Sequence, residues 1–150
     1  MADSVTFEVK GLRELGERMR GLSAKMQNSI AASATGAAAS IVKKAAISNV
    51  VSSPSVDTGS LRDAIIAKKI PKSQSQYTSE HIVTVRGRGK PKVNKKGVKQ
   101  AQAPHAGLVE FGTVNMPAEP FLRPAIDNNI DKATNAMRDK IASRLTKAGA

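Results

Sequence analysis

The chain has 150 residues, with 24 Lys and Arg against 12 Asp and Glu for a formal charge of +12, only 3% aromatic residues, no Trp and no Cys. That length suits one domain, free of disulfides and thiolate metal sites, with a core of Ala, Val, Ile, Leu and Met. The opening MADSVTFEVKG carries acids and no apolar run, unlike a signal peptide, and the uncharged stretch 27–42 is mostly Ala and Ser, too short and too weakly apolar to span a bilayer, so a soluble cytosolic product is expected.

Taken in chain order, VTFEV at residues 5–9 alternates apolar and polar side chains and predicts a short strand ended by Gly11. From Leu12 the apolar spacing turns helical through Leu15, Met19, Leu22, Met26, Ile30, Ala34, Ile41 and Ala45. Gly21-Leu22-Ser23 predicts a break with Ser23 as the next N-cap, so a short helix precedes a long one that reaches about Val50. In SSPSVDTGSLRDAI, Thr58-Gly59 predicts a turn and Ser60 a cap, with Asp63 three residues on as in a weak capping box. DAIIAKKIPK and HIVTVRGR read as two strands, the second with Ile82, Val83 and Val85 as its apolar part. Residues 106–111 suit one or two helical turns stopped at Gly112. Beyond the prolines, Leu122, Ile126, Ile130, Ala133, Met137, Ile141 and Leu145 recur every three or four residues and predict one amphipathic helix to the C-terminus. The expected class is α+β: a small antiparallel sheet packed with one long central helix and an amphipathic C-terminal helix, in a single domain over residues 1–150.

Charge is unevenly placed. Arg86, Arg88, Lys90, Lys92, Lys95, Lys96 and Lys99 follow one another with no acid between them, among glycines and a proline, so residues 86–103 read as a flexible basic loop. Two readings stay open. Such a block can meet nucleic-acid phosphates without reading sequence, or it can be only a solvated tip, and no aromatic residue is interleaved for stacking on bases.

No catalytic constellation emerges. His81 and His105 lack metal-ligand spacing, the acids are scattered, and GRGKPK has glycines and lysines without the order of a phosphate-cradling loop. A metal-dependent nuclease needs carboxylates beside its basic patch, where this chain has none. The chain is therefore not expected to be an enzyme, and no cofactor or metal is expected.

Three blocks occur in order: FEVKGLRELGERM from Phe7, DTGSLRDAI from Asp57, and LVEFGTVNMPAEPFLRPAI from Leu108. Together they resemble the tail-component, or neck, family of long-tailed lambdoid phages. The resemblance covers nearly the whole chain, except that the length and basicity of 86–103 are not shared. It implies a virion structural protein of the head–tail junction: a ring-forming homo-oligomer, a hexamer by expectation. Its neighbours would be head-closure, tail-terminator or tail-tube proteins, and the genome would pass through it without any membrane contact. The residues carried over from the family pattern are Thr58, Gly59, Leu61, Glu110, Phe111, Gly112, Thr113, Pro120, Phe121, Arg123 and Pro124.

Within the last block, Glu110 is placed to pair with Arg123 or with a neighbouring subunit, and Phe111 and Phe121 to pin the linker by burying two rings. Pro120 and Pro124 suit the approach to a helix and its first turn. The alternative function is a DNA-binding architectural protein without sequence specificity, favoured by the charge and opposed by the lack of an intercalating side chain in the basic block.

Overall fold

A computed structural model of the chain describes residues 11–53, 59–71, 79–87, 93, 97 and 99–149. The strand expected at 5–9 lies outside these residues. Helix α1 (Leu12–Arg20) stops at Gly21, and Ser23 caps helix α2 (Ala24–Ser52) by accepting the Met26 backbone N–H at 3.4 Å, as the sequence predicts. Helix α2 is the spine of the fold. Its buried Ile30, Ala34, Ala39, Ala46 and Val50 form a stripe of mostly one-methyl side chains, which lets other elements approach its axis closely.

At 29 residues, α2 is long and apolar enough to cross a membrane, beyond what the 27–42 stretch suggests. Core helices of soluble proteins meet the same criterion, and here the stripe is occupied by the chain's own helices and strands.

The remaining elements pack around that stripe. Helix α3 (Ser60–Ala64) leads into strand β1 (Ile65–Lys69), which pairs antiparallel with strand β2 (His81–Val85), Ile65 standing opposite Val85 and Lys69 opposite His81. The bonds Arg86 N–H to Ala64 C=O and Ile70 N–H to Glu80 C=O, each 3.0 Å, extend the ladder at both ends. Two strands alone are marginal in water. This pair is supported by turning Ile65, Val83 and Val85 onto the core, with Ile82 on the opposite, exposed face.

His81 shares the inner face and explains a glycine that the helical pattern tolerates poorly. Its Nδ1 lies 2.9 Å from Thr35 Oγ1, which is also 2.9 Å from the Ala31 carbonyl oxygen. The ring rests on Gly36, where a Cβ would come within 3.3 Å of Nε2. Gly36→Val is expected to destabilise by about 1–3 kcal/mol through overpacking, whereas Gly36→Ala sets that tight contact against a helix-propensity gain of about 1 kcal/mol. Thermal melts of the two variants should therefore diverge.

Helix α4 (Ala106–Phe111) is followed by α5 (Leu122–Asp127) and α6 (Ile130–Ala148). The expected single C-terminal helix is thus two, broken at Asn128-Asn129, where the Asn129 side-chain amide donates to Ala125 C=O at 3.0 Å and competes with helix continuation. Helix α6 runs antiparallel to α2: Arg144 donates to Ser29 Oγ at 3.2 Å at one end, and Asn49 Nδ2 donates to Phe121 C=O at 3.0 Å near the other. The buried cluster of Ala46, Val50, Leu61, Ala64, Ile65, Ala103, Ala106, Phe121 and Ala125 sits near the C-terminal end of α2. Phe121 is its one aromatic ring. The class is α+β, with a two-stranded antiparallel sheet, the long central helix and the C-terminal helix as expected.

Candidate assembly interface

The stretch from Ala103 to Asp127 forms a bracket bolted to the end of α2. Ala103 is buried and its N–H donates to Arg86 C=O at 2.8 Å, tying the start of the bracket to the end of the sheet. Helix α4 closes at Gly112, whose N–H reaches Leu108 C=O at 2.8 Å. Gly112 adopts φ 73° and ψ −179°, a region used essentially by glycine alone. A Cβ there would lie 2.7 Å from Ala118 N and 2.9 Å from Met116 O.

The chain reverses in a tight turn, with Thr113 N–H to Met116 C=O at 2.8 Å and Met116 N–H to Thr113 C=O at 3.3 Å, and returns along α4 with Glu119 N–H on Val109 C=O at 2.8 Å. Ser53, just past α2, donates its hydroxyl to the Glu119 carboxylate.

Glu110 has a role the sequence reading misassigned. Its carboxylate accepts the backbone N–H groups of Phe121 at 2.8 Å, Leu122 at 2.9 Å and Arg123 at 3.1 Å. These are donors that a helix start leaves without intrahelical partners, and a negative charge there is further favoured by the helix dipole. Glu110 therefore caps α5 from another helix. It holds the Arg123 backbone, and among the described residues no ion pair joins it to the Arg123 guanidinium, which is the correction to the expected pair. Pro124 stands in the first turn of α5, where its missing N–H costs no helical bond, and the exposed Pro120 precedes the ring of Phe121.

The two phenylalanines part company. Phe121 is 2% exposed and packs in the core, whereas Phe111 is 78% exposed, against the expectation that both rings are buried. Phe111 ends α4 on the face away from buried Ala106, in line with exposed Leu108 three residues earlier, and Val114 projects from the turn fully into water. Beside them a groove of about 580 Å³ runs between the end of β2, α4 and α5, with Val85, Pro104, Phe111, Leu122 and Ile126 among its walls. Leu108, Phe111 and Val114 are thus large apolar side chains left exposed on the bracket.

The other family residues are structural in this fold or lie outside the described residues. Thr58 is in the latter group. Gly59, with φ 33°, takes the N-cap position of α3 in place of the expected Ser60, and Leu61 is 1% exposed in the core. Arg62 Nε donates to Asp63 Oδ1 at 2.8 Å, a hydrogen bond that raises the guanidinium pKa and lowers that of the carboxyl. The carboxyl's contribution is present above the ordinary carboxylate range and fades as pH falls through its lowered pKa. Both groups are exposed, so it is small.

The basic segment is partly described. Arg86 is half-buried at the end of the sheet, its N–H and C=O both bonded, so its backbone belongs to the ladder and not to a loop. Val93 and Lys99 form an isolated antiparallel bridge, and Gly97 between them has φ 77°. Lys99 is exposed, and Arg88, Lys90, Lys92, Lys95 and Lys96 lie outside the described residues.

Among the described residues no group of three His, Asp or Glu side chains is placed to hold a metal ion. Sequence reasoning missed the anchors Asn49 and Ser53, which look like ordinary polar positions at a helix end. It also missed the cap by Glu110, whose only signal is an acid eleven residues before the N–H groups it meets.

The family model described as "Bacteriophage HK97-gp10, putative tail-component" matches residues 13–112, which takes in α1 to α4 and ends on the strained glycine of the bracket. No curated protein and no solved structure matches the chain.

Proposed function

We propose that this chain, which belongs to the HK97-gp10-like family of phage tail components, is the subunit of a ring at the head–tail junction that joins heads to tails and lets the genome pass. The observation that carries the reading is the bracket. It spends a buried aromatic, a glycine-only turn and a three-fold carboxylate cap on holding Leu108, Phe111 and Val114 exposed, which a tolerant surface loop does not require. In a virion such a surface meets further copies of the chain and the neighbouring head-closure, tail-terminator or tail-tube proteins. Closed rings are the natural product of a head-to-tail interface whose rotation closes, and six copies is the number we expect. The role is structural, with no chemistry of its own.

The test is electron microscopy of particles assembled without this protein. Filled heads and finished tails should accumulate unjoined, and infectivity should return when the purified protein is added. Normal joining in its absence would remove the assignment.

A second reading concerns DNA. Seven basic residues from Arg86 to Lys99 follow one another without an intervening acid, a run that would give a ring lumen a positive lining. Replacing Lys90, Lys92, Lys95 and Lys96 with Gln is expected to weaken binding to any DNA sequence. It should also flatten the dependence of log affinity on log salt by up to about 0.9 for each phosphate that the variant no longer neutralises. Unchanged binding and unchanged retention of DNA in finished particles would leave the segment as a solvated tip and spare the junction assignment.

A further inference from the structure

We propose that successive copies associate head to tail, the exposed Phe111 of one copy seating in the cleft between the first turns of α2 and the last turns of α6 of the next. The inference rests on the ring reading above and assigns its contact surface.

Three observations lead to it. The first is the position of two unlike surfaces at opposite ends of the spine. The Phe111 bracket is tied to α2 at Asn49 and Ser53. Met26, 40% exposed, lies near the other end of the helix, about 35 Å away at 1.5 Å per residue. Surfaces so separated cannot satisfy each other within one chain, and between chains they generate a directional contact.

The second is charge. From Gln100 to Asp127 the chain has three acids, Glu110, Glu119 and Asp127, against the single cation Arg123, although the whole carries +12. That local excess of acids attracts cationic groups of a second copy of the chain. The cleft at the other end is rimmed by Arg144 and Lys147, so the two surfaces are complementary in sign.

The third is size. The cleft, walled by Met26, Ser29, Ile30, Arg144, Lys147 and Ala148, has a volume of about 180 Å³. Apolar cavities of about 150 Å³ accept benzene, so the space takes one phenyl ring. Among the described residues Phe111, 78% exposed, is the exposed ring.

The absence of Cys makes the test direct. Phe111→Cys and Met26→Cys are combined in one chain, which is oxidised at a concentration at least ~30-fold above that at which the wild type associates, to offset the loss of the ring. A ladder of covalent oligomers is expected, while each single-cysteine variant gives at most a trace of dimer. Separately, Phe111→Asp and Met26→Asp should each weaken self-association at least ~30-fold, as removal of a central anchor does, with melting temperatures close to wild type. Mixed together, these two variants should form dimers and nothing larger, because each keeps one intact surface.

The proposal is overturned if Phe111→Cys alone gives dimers in full yield, which would mean two brackets facing each other, or if the double variant gives no ladder. It is also overturned if Phe111→Asp associates normally yet blocks particle assembly. In that case the bracket meets a different virion protein and the junction reading stands. A wild-type chain that stays monomeric at every concentration and on isolated tails overturns it as well, and the unjoined-particle experiment then decides the junction reading independently.

Discussion

Gly112→Ala is expected to destabilise the protein by about 3–5 kcal/mol, combining the strain of a side chain in a glycine-only backbone region with a clash. The clash is against backbone: the new Cβ meets Ala118 N at 2.7 Å and Met116 O at 2.9 Å, and neither can swing away as a side-chain end would. Relief would require moving residues 116–118. The same return strand carries Glu119, bonded to Val109 and Ser53, and leads to the N–H groups that Glu110 caps. Such a loss is a large part of a typical domain's total of roughly 5–15 kcal/mol. It should appear as a fall in melting temperature of about 10 °C or more. Gly107→Ala is the control, since a Cβ there meets nothing within 4 Å and a helical Gly-to-Ala change gains up to about 1 kcal/mol. Equal melting temperatures for the two variants would show that the bracket is not rigid.

Phe121→Ala should cost about 3–5 kcal/mol, the range for truncating a buried Phe, because among the described residues its ring is the only aromatic one in a cluster otherwise made of Ala, Val, Leu and Ile. Phe111→Ala, ten residues away and 78% exposed, should change stability by less than about 0.5 kcal/mol. The functional effects are expected to differ in kind. The Phe121 variant should lose assembly because it loses folded protein, and lowering the temperature should restore part of it. The Phe111 variant should fold normally and fail in ring formation. Denaturant unfolding and sedimentation of the same two samples separate the cases, and a stability loss at Phe111 matching that at Phe121 would contradict the assigned exposures.

Much of this molecule is legible in the order of its residues. The break at Gly21–Ser23, the turns of α4 ending at Gly112, and the alternation in HIVTV each follow from a local rule, capping, left-handed glycine or period two, that tertiary contacts do not overturn. The family too was readable, because the motif residues that carry the resemblance do local work: Gly112 turns the chain and Pro124 fits a first helical turn.

What the residue order could not decide is which of several equivalent-looking side chains goes inside. Phe111 and Phe121 have the same side-chain transfer free energy. Only the placement of Asn49 beside the Phe121 carbonyl, and the Ala46–Val50 stripe behind it, selects the second ring for burial and leaves the first in water. Glu110 likewise had two available partners, a guanidinium and a helix end. Three pre-aimed N–H groups of a half-buried helix start hold a carboxylate more firmly than one flexible, exposed Arg, whose ordering costs side-chain entropy. The continuous apolar period from Leu122 to Leu145 concealed the break at Asn128-Asn129, since period reports which face is buried and not whether the backbone bends on the way. Local sequence therefore determined most of the elements and the family. Tertiary structure decided which apolar groups were left over for a partner, because burial depends on which elements meet, a choice made by the whole chain at once.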